Sequence, residues 1–334
     1  MLHSPHMVQG FWKNIKKPFL ALAPMADVTD VAFRCMFAKY GKPDVMWTEF
    51  VSADGLCLAP EEGRKRLLKA FEYIEAERPV VAQIFGSNPE HIEKAVAVVR
   101  ELGFDGVDLN MGCPDKTIEK QKAGAALIKT PELAKEIILA AKRGAGDMPV
   151  SVKTRIGYNK DELEAWLPIL LSAEPALITI HARTRKEMSL VSANWERVRR
   201  AVEIRDEIQR DLKEKTLIAG NGDVTSREES FKRVEETGAD GVMIGRGVFG
   251  NPWFFNPEIK KENLPVAEQL KVMVEHTKLF EELCSYKSFA VMKKHYKAYC
   301  HGFDGAKELR VKLMEAENSG EVEKLVNEFI KMAQ

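Results

Sequence analysis

Val107-Asp108-Leu109-Asn110-Met111-Gly112-Cys113-Pro114 reads as an apolar strand that runs into a polar end residue and then into a cysteine at the start of a loop. In an α/β barrel, side chains leaving the carboxyl ends of the strands converge on one mouth, so a strand of this kind is where such a fold keeps its chemistry. An isolated cysteine is more often a small buried hydrophobe. Here Gly112 and Pro114 bracket it in a turn, Asn110 precedes it, and Ala123-Gly124-Ala125-Ala126-Leu127 offers little bulk to cover it. Cys113 is therefore expected to be reachable and is the first candidate for a reacting group.

Working outward, eight short β-type runs are read over 19–23, 44–49, 80–84, 106–110, 150–153, 177–181, 216–219 and 241–244. The first seven are each followed by a segment with the 3.6-residue apolar spacing of an amphipathic helix, over 29–40, 61–73, 89–102, 131–143, 161–172, 195–212 and 226–237. Capping-type residues mark helix starts at Thr29, Asn88-Pro89, Thr130-Pro131 and Thr225. Nearly continuous apolar strands alternating with helices require a parallel sheet covered on its faces, and eight units close into a (β/α)8 TIM barrel. An open doubly wound sheet is the alternative, but no G-x-G-x-x-G follows the first strand. After Asn251-Pro252-Trp253 the β-type runs stop, and from Pro265 the pattern is helical. The predicted class is thus α/β, a (β/α)8 barrel domain over 1–255 followed by a small C-terminal all-helical bundle over 256–334.

Lys plus Arg and Asp plus Glu both number 50 in 334 residues, so a polyanionic partner must be met by a local patch, since the whole molecule has no net field. The five cysteines are odd in number, scattered and without a C-x-x-C pair, which argues for reduced thiols and against a disulfide framework or a cysteine zinc site. The start of the chain, through Lys16 and Lys17, has no long apolar core behind a basic head, and 19–26 is too short to span a bilayer. A cytoplasmic protein without a membrane segment is expected, acting as a monomer.

Polar residues at or just past the ends of the expected strands are Glu49, Gln83, Asn110, Lys153, His181, Asn221 with Asp223, and Arg246. Each has a bland reading as a solvated, core or loop-capping group; together they would share the single mouth of a barrel. Ala219-Gly220-Asn221-Gly222-Asp223 follows strand seven and Gly245-Arg246-Gly247 follows strand eight. Loops seven and eight of such barrels commonly bind a phosphate, because glycine lets backbone N–H groups approach its oxygens, and Arg246 would add a charge-assisted contact. The alternative is that these are only tight turns. No metal constellation and no G-x-S-x-G stand out. A phosphate anchor, a lysine, a histidine, amide side chains and a thiol suit a flavin barrel.

The sequence resembles the flavin-dependent tRNA-dihydrouridine synthases over nearly its whole length. The resemblance rests on Leu22-Ala23-Pro24-Met25-Ala26-Asp27-Val28-Thr29-Asp30 with Phe33-Arg34, Gln83-Ile84-Phe85-Gly86, the opening stretch with 123–127, Val152-Lys153-Thr154-Arg155, His181-Ala182-Arg183-Thr184-Arg185, Asn221-Gly222-Asp223 and Gly245-Arg246-Gly247, in that order. It implies FMN in the barrel, NADPH (or NADH) as reductant, and reduction of the C5–C6 bond of chosen uridines in tRNA. It also implies that Pro24, Met25 and Ala26 floor the flavin and that Gln83, Lys153 and His181 bond its ring or ribityl chain. Asn221, Gly222, Asp223, Gly245 and Arg246 would hold the phosphate end. Asn110, Arg183 and Arg185 would contact uracil and RNA, and Cys113 would donate the proton. The family's usual continuation after Arg185 is not matched by residues 187–194, so no substrate contact is carried over onto that loop.

Two rivals remain: an FMN-barrel oxidoreductase acting on a small molecule, of dihydroorotate or enoate type, and an RNA-binding module. Between Lys287 and Lys312 the basic residues Lys287, Lys293, Lys294, Lys297, Lys307, Arg310 and Lys312 face only Asp304 and Glu308, interleaved with Tyr296, Tyr299 and Phe303. With the barrel motifs beside it, this stretch favours tRNA, with Lys293, Lys294 and Arg310 as contacts.

Overall fold

The computed structural model describes residues 9–332. The expected chain start and the ends of both expected domains fall in part on residues 1–8 and 333–334, outside the described residues. Eight parallel strands close into a barrel in chain order: β1 Phe19–Leu22, β2 Val45–Ser52, β3 Val80–Phe85, β4 Gly106–Met111, β5 Val150–Arg155, β6 Leu177–His181, β7 Leu217–Asn221 and β8 Gly241–Ile244. β1 pairs with both β2 and β8, which completes the ring. β2 outruns its expected span because the register shifts between Trp47 and Phe50, and the bulged strand continues to Ser52.

Side chains alternate across a strand with period two. Leu20, Leu22, Val80, Ala82, Ile84, Val107, Leu109, Val150, Val152, Ile178 and Ile180 join the layer between sheet and helices. Phe19, Ala21, Val45, Trp47, Val81, Leu177 and Ala219 instead fill the lower lumen, where Trp12 from the short Gly10–Asn14 turn packs with them as a plug. Once those apolar residues set the phase, Gln83, Asp108, Asn110, Ser151, Lys153, Arg155 and His181 are left pointing into the lumen above the plug.

The helices of the barrel are α1 Val31–Tyr40, α2 Ala53–Leu58, α3 Glu61–Lys69, α4 Pro89–Glu101, α5 Lys116–Lys120, α6 Pro131–Ala145, α7 Leu163–Leu171, α8 Glu196–Ile208 and α9 Arg227–Thr237. Two expected caps shift by one residue. Asp30 caps α1 by accepting from the Phe33 amide, while the Thr29 hydroxyl accepts from the Met25 amide; Ser226, not Thr225, caps α9. Thr130 makes no side-chain cap.

No α-helix follows β8 before the tail, in which α10 Val266–Leu283, α11 Lys293–Tyr299, α12 Ala306–Leu313 and α13 Ser319–Met332 form the bundle. Its core of Leu270, Met273, Phe280, Met292, Tyr296, Leu309 and Leu313 is continuous with Val31 and Ala32 of α1, so the bundle is seated on the barrel's first helix. No helix of the described residues is long and apolar enough to cross a membrane.

Candidate active site at the barrel mouth

A chain of hydrogen bonds runs across the lumen from β5 to the loop after β4. The Ser151 hydroxyl donates to Asp108 Oδ1 at 2.6 Å, and Gln83 Nε2 donates to Asp108 Oδ2 at 2.6 Å. Asn110 Nδ2 donates to Gln83 Oε1 at 3.0 Å, and Asn110 Oδ1 accepts from the amides of Gly112 and Cys113 at 3.1 and 2.9 Å. The β4 side chains that alternate into the lumen therefore hold the backbone that carries Cys113. From the other side, the Ala125 amide donates to the Cys113 carbonyl at 2.9 Å. Gly124, with φ +63°, lies so close that a Cβ there would meet that carbonyl at 2.7 Å. The thiol itself is partly exposed, as its small neighbours suggested.

Beside this network a cavity of about 580 Å³ opens between β1 and β5–β8. Pro24 and Met25 wall it from the turn after β1, Lys153 and His181 from β5 and β6, and Asn221, Gly222, Asp223, Gly245 and Arg246 from the loops after β7 and β8. Gln83, Asn110, Cys113, Ala26 and Arg185 lie outside its lining. Two glycines at its rim are constrained. Gly222 has φ +134°, and a Cβ at Gly247 would meet the Val224 carbonyl at 2.2 Å. The first loop can take this backbone, and the second can lie this close to the first, only without side chains at those points.

The mouth is electropositive. Lys153 makes no hydrogen bond or ion pair among the described residues, and burial, with Arg155 adding to it, pulls its ammonium down to about 8. His181 is held well below the ordinary imidazole range by burial and then by Lys153, Arg155, Arg183 and Arg246, so it is neutral. Its Nε2 lies 3.3 Å from Arg183 Nη1 and, in that neutral state, can accept from it. Burial pushes the Cys113 thiol up, while Arg155 and Lys153 favour its anion. Asp108 is raised to about 6 by burial against the opposing hydrogen bonds of Gln83 and Ser151.

Several expected contacts are already occupied. Asp223 receives Arg183 on Oδ2, together with the Ala193 amide at 2.8 Å, and Arg246 on Oδ1 at 3.1 Å. Its carboxylate thus clamps two arginines at the rim of the cavity. Arg185 pairs with Glu119 and lies over the Tyr158 ring at 5.2 Å. Glu49 lies outside the cavity lining and accepts from the Asp27 amide at 2.5 Å and from Lys287 at 2.6 Å.

On the tail, the aromatic interleaving expected to meet bases is corrected: Tyr296 and Tyr299 are buried in the bundle core, and Phe303 packs on Phe329. Lys287 is half-buried among carboxylates. Lys294 is exposed but donates to the Asp27 carbonyl at 2.8 Å, and Arg310 donates to the Cys300 carbonyl at 3.3 Å. Lys293 is half-buried, whereas Lys297, Lys307 and Lys312 are exposed.

Three lumen residues were missed by reading the sequence: Asp108, Ser151 and Arg155. Arg155 ties both sides of the mouth together, donating to the carbonyls of Gly112 at 2.8 Å, Thr184 at 3.1 Å and Met188 at 3.2 Å. The signal was present in the strands, where polar residues recur at 108 and 110 and at 151, 153 and 155, the spacing that faces one side. Among the described residues, no group of three or more His, Cys, Asp or Glu residues could hold a metal ion.

A closed eight-stranded barrel with a cationic, glycine-edged mouth at the carboxyl ends of its strands places the chain among the (β/α)8 barrel enzymes. More particularly, the chain belongs to the dihydrouridine synthase family, whose profile, "Dihydrouridine synthase (Dus)", matches residues 21–334. It is similar to a probable tRNA-dihydrouridine synthase 2 of Bacillus subtilis (strain 168), 40% identical over 97% of each chain. It is also similar to a probable tRNA-dihydrouridine synthase of Staphylococcus aureus (strain MRSA252), 40% identical over 97% of this chain and 96% of that one. Among solved structures it is similar to morphinone reductase in complex with tetrahydroNAD, at 12% identity and a TM-score of 0.48 over 70% of this chain and 84% of that one, a level that carries no weight.

Proposed function

We propose that the protein reduces the C5–C6 bond of particular uridines in tRNA, with FMN in the barrel-mouth cavity and NADPH or NADH as reductant, in the cytoplasm and as a monomer. Family membership and the names of the two relatives support the reaction and the substrate. The observation that carries the cofactor is one cavity lined both by an unpaired lysine on β5 and by the two glycine-edged loops after β7 and β8. A phosphate at the glycine end would meet backbone amides and Arg246, and Lys153 would lie beside an electron-rich ring. The residues present therefore fit FMN, and the chemistry it supplies when bound is hydride transfer from a nicotinamide to uracil C6.

The protein's own residues do the rest. Pro24 and Met25 would form the floor, and His181, neutral and held by Arg183, would orient the ring without adding charge. Lys153 would offset negative charge at the ring, and Arg183, Arg185 and Asn110 are the residues that would meet a pyrimidine and its backbone. Cys113 gives the proton to C5. Burial keeps its thiol protonated at neutral pH, and Arg155 and Lys153 stabilise the thiolate left behind. Hydride at C6 and proton at C5 balance as a two-electron reduction.

The test is direct. The purified protein should be yellow with bound FMN, and with NADPH it should convert uridine to dihydrouridine in tRNA from a strain lacking the gene, read by mass spectrometry as a gain of two hydrogen atoms at defined positions. A colourless protein that takes up no FMN on reconstitution would sink the cofactor assignment. Reduction of a small enone or orotate with tRNA untouched would favour the small-molecule oxidoreductase.

A further inference from the structure

The turn that walls the cavity after β1 is held by the tail. Within the turn, the Val28 and Thr29 amides donate to the Met25 carbonyl at 3.1 and 3.0 Å, and the Met25 amide donates to the Thr29 hydroxyl at 2.9 Å. Asp27, in the middle, has φ +54°, a left-handed conformation that a residue with a side chain keeps only when its surroundings impose it. Both polar groups of its backbone are gripped. Its amide donates to Glu49 Oε1 at 2.5 Å, and its carbonyl accepts from Lys294 Nζ at 2.8 Å. Glu49 in turn is held by Lys287 Nζ at 2.6 Å, and that ammonium also stands 3.7 Å from carboxylate oxygens of Asp27 and Asp30. Lys287 precedes α11 and Lys294 is on it, so the tail supplies both cations. Without Lys287, Glu49 would be a buried carboxylate with no counter-charge, and it would turn to water and release the Asp27 amide.

We propose that Lys287 and Lys294 are positioning residues for the cavity, acting through the Asp27 peptide to fix Pro24 and Met25 against the bound ligand. The assignment of that ligand as FMN rests on the reading above. The geometry joins tail to site by two consecutive contacts, from Lys287 to Glu49 to the Asp27 amide, and closes the grip with Lys294 on the other side of the same residue.

The experiment compares Lys287→Met, Lys287→Arg, Lys294→Ala and, as a control on an exposed tail lysine outside the clamp, Lys271→Ala. Hydrogen exchange of the 25–29 amides is measured in the FMN-free full chain, and FMN affinity by quenching of its fluorescence. Lys287→Met and Lys294→Ala should exchange these amides about tenfold faster than the parent and bind FMN about fivefold more weakly. Lys271→Ala should match the parent, and Lys287→Arg should restore much of the protection. Unchanged exchange in both variants overturns the proposal, as does faster exchange with unchanged FMN affinity. If Lys287→Met fails to fold, Lys294→Ala, at an exposed lysine, decides alone. If the parent binds no FMN, the functional reading falls, while the exchange data still decide whether the tail holds the turn.

Discussion

The proposed proton transfer rests on Cys113. Asn110 and Ala125 fix its backbone from two sides, and its thiol is partly exposed and protonated at neutral pH. Cys113→Ala should still bind FMN and tRNA and accept electrons from NADPH, yet form dihydrouridine about 10²–10⁴-fold more slowly, measured by single-turnover kinetics. Turnover at the parent rate would return this cysteine to packing. Lys153 carries a pH signature. Its ammonium falls from 10.5 in the unfolded chain to about 8 in the fold. Between those values the unfolded state binds more protons, so stability rises with pH; the cost of burying the charge is fully felt below pH 8 and relieved by 10.5. FMN-free Lys153→Met should therefore melt higher than the parent at pH 7 by a few °C, and the gap should close as pH approaches 10.5. The same variant should retain FMN poorly. Equal melting at pH 7 would mean that the ammonium reaches water. Most of these residues were legible because a strand end followed by a polar residue marks a barrel mouth. Asp223 was legible as a mouth residue but not as the partner of Arg183 and Arg246, because that pairing joins loops forty and twenty-three positions distant in the chain.

At the level of elements, alternation of apolar strands and amphipathic helices was enough to place all eight strands. It was silent on α2, a short helix containing Gly55 whose start is made by the Ser52 hydroxyl at the end of a bulged strand. Local spacing cannot register a bulge. Tyr296 and Tyr299, read as aromatics interleaved with the basic residues of the tail, are buried in the bundle core instead of being presented to bases. The 123–127 segment illustrates a constraint that spacing cannot express. Gly124 combines φ +63° with approaches of 2.7 Å to the Cys113 carbonyl and 2.9 Å to Ile118 for any added Cβ. Gly124→Ala should destabilise the protein by about 1–3 kcal/mol and slow dihydrouridine formation by shifting the Cys113 loop, with FMN content preserved. Melting together with turnover checks this, and a variant as stable and as active as the parent would refute it.

Across the whole molecule, equal numbers of acidic and basic residues leave no long-range pull on a polyanion. RNA affinity must then come from local cations. Lys307 and Lys312 are exposed on or beside α12 and make no ion pair among the described residues. Replacing both by Glu should weaken tRNA binding and lower the salt slope of log K by about 1 per site without changing FMN content, as read by binding isotherms at several salt concentrations. An unchanged slope would move the RNA path off this helix. The ring closure has a further consequence, for synthesis on the ribosome. Phe19–Leu22 is among the first parts of the barrel to emerge, but one of its two neighbours, Gly241–Ile244, is among the last. At about 5–20 residues per second, β1 waits roughly 10–45 s with that edge unpaired. Val31 and Ala32 wait longer still, until Leu270 and Met273 arrive to cover them. A nascent chain halted before residue 241 would carry an open parallel edge and a bare helix face, both of which invite association with other chains. Arrival of α10, not closure of the barrel, is therefore the step at which both are covered.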